Sequence, residues 1–390
     1  MTTKINNEHK KLNVPNLRFK EFQGEWEKCK LGELTTKVGS GSTPKGGNAV
    51  YTSVGHCFVR SQNVGMGYLI LDDIAHIDDD IHKKHKATEI NEDDVLLNIT
   101  GASIGRTAIA TKEIGGGNVN QHVCIIRANS TVSPKFLCNY IQTKKIQNYI
   151  QSLQTGGSRE GLNFEQIRSF PISLPNMAEQ NKIAQLLDKL NERIATQNKI
   201  IEDLKKLKCA IAERLFKVTN GEVVALSEVC NIQKGKQVNG DCLSETGTYY
   251  VMNGGTEPSG YYEQCNAPAD TISISEGGNS CGYIQYNREA FWSGGHCYTL
   301  TDIQPNVCNL YLYHYLKSKE SAIMKLRIGT GLPNIQKKDL EKFAVLLPPV
   351  AKQVRISTFL TAIERKTTNE EILLSHFQEE KQYLLRQMFI

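Results

Sequence analysis

Two long heptad segments constrain this chain more than any other feature. Apolar residues recur at alternating steps of four and three from Ile183 to Leu215, and the same spacing runs from Ile356 to Met388. This spacing is that of the a/d seam of a coiled coil. The seam residues are Ile183, Leu187, Leu190, Ile194, Ile201, Leu204, Ile211 and Leu215 in the first segment, and Ile356, Leu360, Ile363, Leu374, Phe377, Leu384 and Met388 in the second.

The second segment repeats the first at a displacement of 173 residues, polar interruptions included. Gln197 and Glu370 interrupt the two seams at matching places, as do Lys208 and Lys381. A polar seam residue lowers stability but fixes the register of the pair. Each segment predicts a helix of about 60 Å. The alternative, two amphipathic helices packed separately on their own domains, is disfavoured because neither segment has a wide apolar face.

The duplication extends into the globular parts of the chain. Residues 94–101 match residues 270–277, each followed by a small-residue loop that closes at Gly105 or Gly282. Short runs rich in β-branched and aromatic residues predict strands in both regions. Residues 134–152 and 309–328 are helix-like. We therefore predict an α+β protein with pseudo-twofold symmetry, in which two β-rich domains are each followed by a long helix.

The repeat divides the chain into four segments. We predict a first globular domain, a central helix, a second globular domain and a C-terminal helix, at residues 1–175, 176–219, 220–348 and 349–390.

Composition narrows the function classes. The chain has 390 residues and a net charge of +5, but residues 220–348 carry −3, so nucleic-acid binding there requires clustered basic residues or a partner. The apolar runs are too short to cross a bilayer, and we expect no signal peptide because the first twenty residues are polar. The eleven cysteines are scattered, which indicates free thiols in a reducing cytoplasm.

The sequence offers no motif for catalysis, cofactor binding or metal binding. The nearest phosphate-loop candidate, residues 39–45, has Pro44 where the loop needs backbone N–H groups. Residues 347–350 lack the polar and aromatic ends of an amino-methyltransferase tetrapeptide. The acidic run at 72–80 predicts a solvated loop rather than a metal centre, because adjacent carboxylates on a strand cannot all face one ion.

Several short motifs, in duplicated order, resemble a known family. Residues 15–26 have the pattern Pro-x-Leu-Arg-Phe-x-x-Phe-x-Gly-x-Trp, and residues 31–34 recur in kind at 226–229. A Leu-Pro-x-x-x-x-Gln pattern begins both helices, at Leu174 and Leu347. In this order the chain resembles the specificity subunit of type I restriction-modification systems, over nearly its whole length.

The resemblance implies a DNA reader without catalytic activity of its own. Each globular domain is a target-recognition domain that reads one half of a bipartite, asymmetric site in double-stranded DNA, and the two helices pair as an antiparallel coiled coil. Two methyltransferase subunits dock on this body, and two restriction subunits can join them. S-adenosylmethionine, ATP and Mg²⁺ are expected on those partners, and no membrane is involved.

DNA contacts are predicted from polar loops. Arginine can bind guanine O6 and N7, and asparagine or glutamine can bind adenine. The candidates are Arg60, Ser61, Gln62, Asn63, Arg106, Ser158 and Arg159 in the first domain, and Lys234, Lys236, Asn253, Asn279, Ser280, Arg327 and Asn334 in the second. His122 and His296 occupy matched positions, and we predict both as core or strand-edge residues.

Two alternatives stay open at this stage. One is a specificity module of a type II or stand-alone DNA methylation system, which would differ only in its partners. The other is a cytoplasmic coiled-coil scaffold whose β-rich domains bind proteins, and it predicts no sequence-selective DNA binding.

Overall fold

The structure is a computed structural model that describes residues 12–154, 161–329, 331 and 333–390. The chain forms two compact units. The first contains the residues up to Gln197 together with Leu373–Ile390, and the second contains Asn198–Ile372. Each unit therefore combines one globular region with parts of both long helices.

Within the described residues, the first globular region contains nine strands and four short α-helices. The strands are β1 (Glu27–Lys30), β2 (Thr35–Ser40), β3 (His56–Val59), β4 (Ala75–Ile77), β5 (Val95–Asn98), β6 (Thr107–Ile109), β7 (Asn118–Val119), β8 (Val123–Ala128) and β9 (Pro171–Leu174). The helices are α1 (Asp79–Lys84), α2 (Pro134–Ile141), α3 (Lys144–Ser152) and α4 (Phe164–Arg168).

The first region is built on an antiparallel sheet in the order β2-β8-β5-β6. A smaller sheet, β4-β3-β7, stands beside it, and β1 pairs with β9. Strand β5 and the first four residues of β8 are buried throughout, as expected of apolar strands covered on both faces. Phe136 and Tyr140 of α2 lie in the same core as alternate residues of these strands.

The second globular region has its own strands and short helices. The strands are β10 (Glu222–Ala225), β11 (Asn231–Lys234), β12 (Tyr249–Met252), β13 (Tyr261–Tyr262), β14 (Thr271–Ser275), β15 (Ile284–Asn287), β16 (Trp292–Ser293), β17 (Cys297–Thr301) and β18 (Ala344–Leu347). The long helix α5 (Met177–Val218) precedes this region. The short helices of the region are α6 (Leu226–Val229), α7 (Asn309–Ser318), α8 (Glu320–Met324) and α9 (Lys337–Glu341).

The second region repeats the topology of the first. Its main sheet has the order β11-β17-β14-β15, its smaller sheet has the order β13-β12-β16, and β10 pairs with β18. In both smaller sheets one pair is parallel, β3 with β7 and β12 with β16. The α+β prediction with two matched β-rich domains is therefore confirmed.

The register of the repeat differs by one residue from the sequence alignment of 94–101 with 270–277. The backbone N–H of Ile99 donates to His122, and that of Glu276 donates to His296. Asp93 and Asp270, which precede the matching strands, both have positive φ, 67° and 59°. Glu276 therefore corresponds to Ile99 rather than to Thr100. A shift of one residue reverses the face of every strand side chain, so this correction changes which residues are comparable.

Two local predictions also need correction. Part of the acidic run predicted as a loop is helical, because the carboxylate of Asp78 accepts from the backbone N–H of Ile81 and caps α1. The helix-like segments predicted at 134–152 and 309–328 each contain two helices. Thr143 caps the start of α3, and Lys319 separates α7 from α8.

The two long helices are present as predicted, as α5 (Met177–Val218) and α10 (Val350–Gln387). The Asn176 side chain accepts from the backbone N–H of Glu179 and so caps the first turn of α5. All predicted seam positions are buried or half-buried.

The helices pair in antiparallel fashion within each unit. In the second unit, Lys205 of α5 contacts Glu371 of α10 at 2.6 Å. Lys208 lies about one turn later in α5, and it contacts Glu364, which lies two turns earlier in α10, at 2.8 Å. The two helices therefore run in opposite directions. In the first unit, Leu187 near the start of α5 shares a core with the residues at the end of α10.

The end of α10 completes the core of the first globular region. The ring of Phe389 packs against Trp26, Phe136 and Tyr140, with centroids 5.3–6.5 Å apart. The hydroxyl of Tyr140 donates to the Ile390 carbonyl at 2.6 Å.

Candidate nucleic-acid interface

Several polar loops of the first region meet at one end of its main sheet. Ser40, the last residue of β2, pairs with Cys124 near the start of β8. Asn98, the last residue of β5, pairs with Val123 on the other side of β8. The loops after β2 and β5 and the loop before β8 are consequently neighbours. We call this the loop end of the domain.

A glycine holds the loops together in each copy. The backbone N–H of Gly41 donates to Asn120, and a Cβ at Gly41 would lie 1.6 Å from the Val119 carbonyl oxygen. In the second region, Gly235 donates to Cys297, and a Cβ there would lie 2.2 Å from a backbone oxygen. Only glycine permits this approach, so both loop ends share a close backbone contact at the same place.

The loop end of the first domain carries a network of polar side chains. Nδ1 of His122 lies 2.5 Å from the Thr100 hydroxyl, and its Nε2 lies 3.1 Å from the Gln121 amide nitrogen. Thr43, on the loop after β2, donates to the Gln121 side chain. The prediction of His122 as a core or strand-edge residue is confirmed in its second form, because His122 lies immediately before β8 and its ring is half-buried among polar loops.

The turn at residues 60–63 reaches the same end of the domain. The Asn98 side chain donates to the Ser61 carbonyl at 2.8 Å. Arg60 and Gln62 both contact Asp73, which reduces the positive charge that this turn presents.

Asn63 must be removed from the predicted contacts. It is only 1% exposed, its Oδ1 accepts from the backbone of Arg60, and its Nδ2 donates to the Ile70 carbonyl. The residue shapes the turn and does not offer its amide to a ligand.

The remaining first-domain candidates differ in what can be said of them. Arg106 is exposed immediately before β6, beside the end of β5. Ser158 and Arg159 lie outside the described residues.

The second-domain candidates gather at the corresponding end. Lys234 ends β11, and Lys236 is exposed two residues later. The Asn253 side chain accepts from the backbone N–H of His296 at 3.2 Å. Asn334 pairs through its backbone with Ile328, next to the exposed Arg327, and forms a bridge with the loop after β14. That loop carries the exposed Asn279 and the half-buried Ser280.

Three further side chains at this end were not among the candidates drawn from the sequence. Glu276 Oε1 accepts from Lys234 Nζ at 2.6 Å and from the Tyr298 hydroxyl at 3.1 Å. Burial together with the Glu276 charge raises the pKa of Tyr298, so this hydroxyl stays a donor. His296, predicted as a core or strand-edge residue, lies at the strand edge immediately before β17, and its side chain is 63% exposed at 3.7 Å from Glu276. The missing signal was the register, because the sequence alignment placed Glu276 beside Thr100 instead of Ile99.

The described residues contain no group of three or more metal-binding side chains. Cysteines in this part of the chain are unpaired. Burial raises the pKa of Cys124 and Cys230 to about 12, so neither is poised as a thiolate nucleophile. None of the described helices is both long and apolar enough to span a membrane.

Two matched α+β domains, each presenting a polar loop end and each followed by a long paired helix, define a two-headed recognition protein. The chain matches the type I restriction modification DNA specificity domain over residues 23–206 and again over 219–375. It belongs to this family.

Similar proteins agree with this assignment. A Mycoplasma pneumoniae protein assigned as a type I specificity subunit is 33% identical over 131 residues, which are 33% of this chain and 34% of the relative. One from Mycoplasma genitalium is 24% identical over 56% of this chain and 60% of the relative. The chain thus aligns with about a third of the length of the first relative and with less than two thirds of the length of the second.

A solved structure is similar in fold. The crystal structure of the type I restriction-modification S subunit from M. genitalium superposes with a TM-score of 0.67 at 18% identity, covering 97% of this chain and 99% of that one.

Proposed function

We propose that this chain is the DNA-recognition subunit of a type I restriction-modification enzyme. Each globular domain reads one half of a bipartite, asymmetric site in double-stranded DNA. The observation that carries the proposal is that the same polar loop end occurs twice, with a glycine at the close backbone contact in each copy, Gly41 and Gly235. The chain also matches the DNA specificity family twice.

The two copies carry different side chains on the same scaffold, which favours the reading of two unlike half-sites. Position for position, Ile99 of the first domain corresponds to Glu276 of the second, and Ser40 corresponds to Lys234. Base edges are distinguished by the donors and acceptors offered to them. Domains of one architecture with different donor and acceptor sets would therefore select different sequences.

The proposal assigns the chemistry to partners. In this proposal methyltransferase subunits bring S-adenosylmethionine, restriction subunits bring ATP and Mg²⁺, and the chain itself is not an enzyme and works in the cytoplasm. Two methyltransferase subunits and up to two restriction subunits complete the assembly.

The paired helices supply a surface for the methyltransferase subunits. On the first turns of α10, Val350, Val354 and Phe359 are 45–51% exposed. Val354 and Phe359 line an apolar groove together with Leu215 and Ile356 in the second unit. Exposed apolar patches of this kind mark protein-binding sites.

A domain exchange tests the reading function. Residues 1–175 are replaced by the corresponding domain of another specificity subunit, and modified adenines are mapped in cells that also carry the methyltransferase subunit. One half of the methylated sequence should change while the other half and the spacing stay the same. The proposal would be refuted if the wild-type complex methylated no bipartite sequence, or if both halves of the methylated sequence changed after the exchange.

A surface variant tests the docking. Phe359→Asp should abolish co-purification of the methyltransferase subunit. Val218→Asp, at an exposed apolar residue at the end of α5, is the matched control and should leave it intact. Equal recovery with both variants would contradict docking at this groove.

A further inference from the structure

The loop end of the second domain holds a charged cluster without a counterpart in the first. We call Glu276, Lys234, Tyr298 and His296 the carboxylate cluster. Glu276 is only 9% exposed, and the side chain of Lys234, which binds it, is 53% exposed. A buried carboxylate is held here by one exposed cation and one hydroxyl.

The carboxylate retains binding capacity. Its Oε1 accepts from Lys234 and Tyr298, but its Oε2 is buried without a hydrogen-bond partner among the described residues. A buried unpaired acceptor is costly, by about 1–3 kcal/mol, and is an exception in folded proteins. A carboxylate offers about four acceptor positions and an ammonium three donors, so both members of the pair can bind further groups.

An exposed side chain lies beside this oxygen. The imidazole of His296 lies 3.7 Å from Glu276 Oε2, and the ring is 63% exposed. Rotation of an exposed side chain takes place in picoseconds to nanoseconds, so movement of the ring gives a ligand access to the carboxylate.

The first domain keeps a histidine, His122, at the place of His296, but it has apolar or small neutral side chains at the places of the other three cluster residues. Ile99 stands where Glu276 does, and it is 5% exposed. The pairing of Ser40 with Cys124 corresponds to that of Lys234 with Tyr298. The cluster is thus specific to one domain, although the scaffold under it is shared.

We propose that Lys234 and Glu276 together read one C·G base pair in the half-site of the second domain. The Glu276 carboxylate accepts from the cytosine N4 amino group, and Lys234 donates to O6 and N7 of the paired guanine. This inference rests on the proposed function and deepens it, since it names the chemistry that sets one position of the sequence.

The choice of base pair follows from the major-groove pattern. A C·G pair presents one amino donor beside two adjacent acceptors, which an adjoining carboxylate and ammonium complement. A T·A pair places its amino donor between two acceptors and adds a thymine methyl, so the same pair of side chains fits it less well. The negative charge of Glu276 also disfavours phosphate, which makes a base edge the better partner.

The test maps modified adenines in cells that carry the methyltransferase subunit with either the wild-type chain or Glu276→Gln. A glutamine amide donates as well as accepts and binds adenine. Preference for C·G over A·T at one position of the second half-site should fall about tenfold to a hundredfold. The first half-site should not change.

Two further variants make the result decisive. Lys234→Gln alters an exposed side chain and should relax the same base pair, even if Glu276→Gln does not fold. Glu341→Gln, which breaks an exposed ion pair with Lys337 elsewhere in the second unit, is the matched control and should leave both half-sites unchanged.

The outcomes separate this inference from the function on which it rests. If the wild-type complex methylates a bipartite site and both cluster variants keep the second half-site, the inference is wrong and the proposed function stands. The inference is also wrong, and the proposed function also stands, if the second half-site contains no C·G pair. If the wild-type complex methylates no bipartite site, the proposed function itself fails.

Discussion

The ammonium of Lys208 on α5 lies 2.8 Å from the Glu364 carboxylate on α10, and the Tyr313 hydroxyl donates to the same oxygen at 2.9 Å. The polar residue that interrupts the first seam is therefore paired. Its counterpart at a displacement of 173, Lys381, is 8% exposed and has no hydrogen bond or ion pair to the described residues. The residue equivalent to Glu364 in α5 is Asn191, which is neutral.

Glu364→Gln should destabilise the protein by about 1–2 kcal/mol, because it leaves a half-buried ammonium with a weaker partner. Burial alone would raise the pKa of Glu364, but the bonds from Lys208 and Tyr313 outweigh it and the pKa is lowered. The contribution is therefore present above pH 4.5 and is lost as the pH falls through the lowered pKa. Urea unfolding from pH 7 to pH 3 measures this difference.

Glu371→Gln is the control for that measurement. It breaks an ion pair with Lys205 whose side chains are 59% and 44% exposed, so the expected change is below about 0.5 kcal/mol. Equal losses in the two variants would show that burial of the Lys208 pair adds nothing.

Lys381→Met should stabilise the protein by about 1–2 kcal/mol, since it removes a buried charge that lacks an acid. Burial lowers the pKa of Lys381, so between that pKa and 10.5 the unfolded chain binds more protons than the folded one. Wild-type stability should rise with pH through this window, and the variant should lose the rise. Lys208→Met is the control and should destabilise, and a loss of stability in both would contradict the argument.

His314 should make the protein sensitive to mild acid. The ring is 2% exposed, and its Nε2 lies 2.8 Å from the Thr361 hydroxyl. Burial first, and then the charge of Lys208, lower the pKa of His314 to about 4, although Glu364 opposes the shift. The unfolded chain takes up the proton near pH 6.5, so stability falls by roughly 3 kcal/mol from pH 7 to pH 4.

Thermal unfolding across that range tests the role of His314. His314→Gln should flatten the pH dependence, whereas His376→Gln, at an exposed position on α10, should leave it unchanged. A slope that survives in His314→Gln would assign the acid sensitivity to other groups.

Gly41→Ala should destabilise the first unit by more than about 2 kcal/mol, because the new Cβ would meet the Val119 carbonyl at 1.6 Å and the loops must separate. Gly39→Ala lies two residues earlier with nothing within 4 Å of the new Cβ, so it should change stability by less than about 1 kcal/mol. Chemical unfolding distinguishes them. Similar stabilities would mean that the loop end tolerates a side chain.

The sequence predicted both long helices and their seams because a heptad pattern repeats a signal many times along one element. It also predicted the α+β class and the duplicated order. The strand register was harder to predict from the sequence, because the strands span only a few residues. An alignment that is wrong by one residue pairs Asp94 instead of Asp93 with Asp270, so it still matches two aspartates. Three-dimensional hydrogen bonds were needed to place Glu276 opposite Ile99.

Prediction of the candidate interface was uneven for a physical reason. Residue type identified polar loops correctly, but it could not distinguish an amide that faces solvent from one that closes a turn, as Asn63 does. Likewise, the strand-like patterns placed His122 and His296 at strand edges, but they did not show that both rings lie among polar loop residues. Which side chains meet there depends on contacts between distant segments.

Because Phe389 and Ile390 fill the core around Trp26 and Tyr140, the first domain cannot reach its final packing during synthesis until Phe389 and Ile390 have been added. Until then that domain exposes an apolar surface, which α10 later covers. Termination of the chain before Phe389 should therefore impair the packing of the first domain.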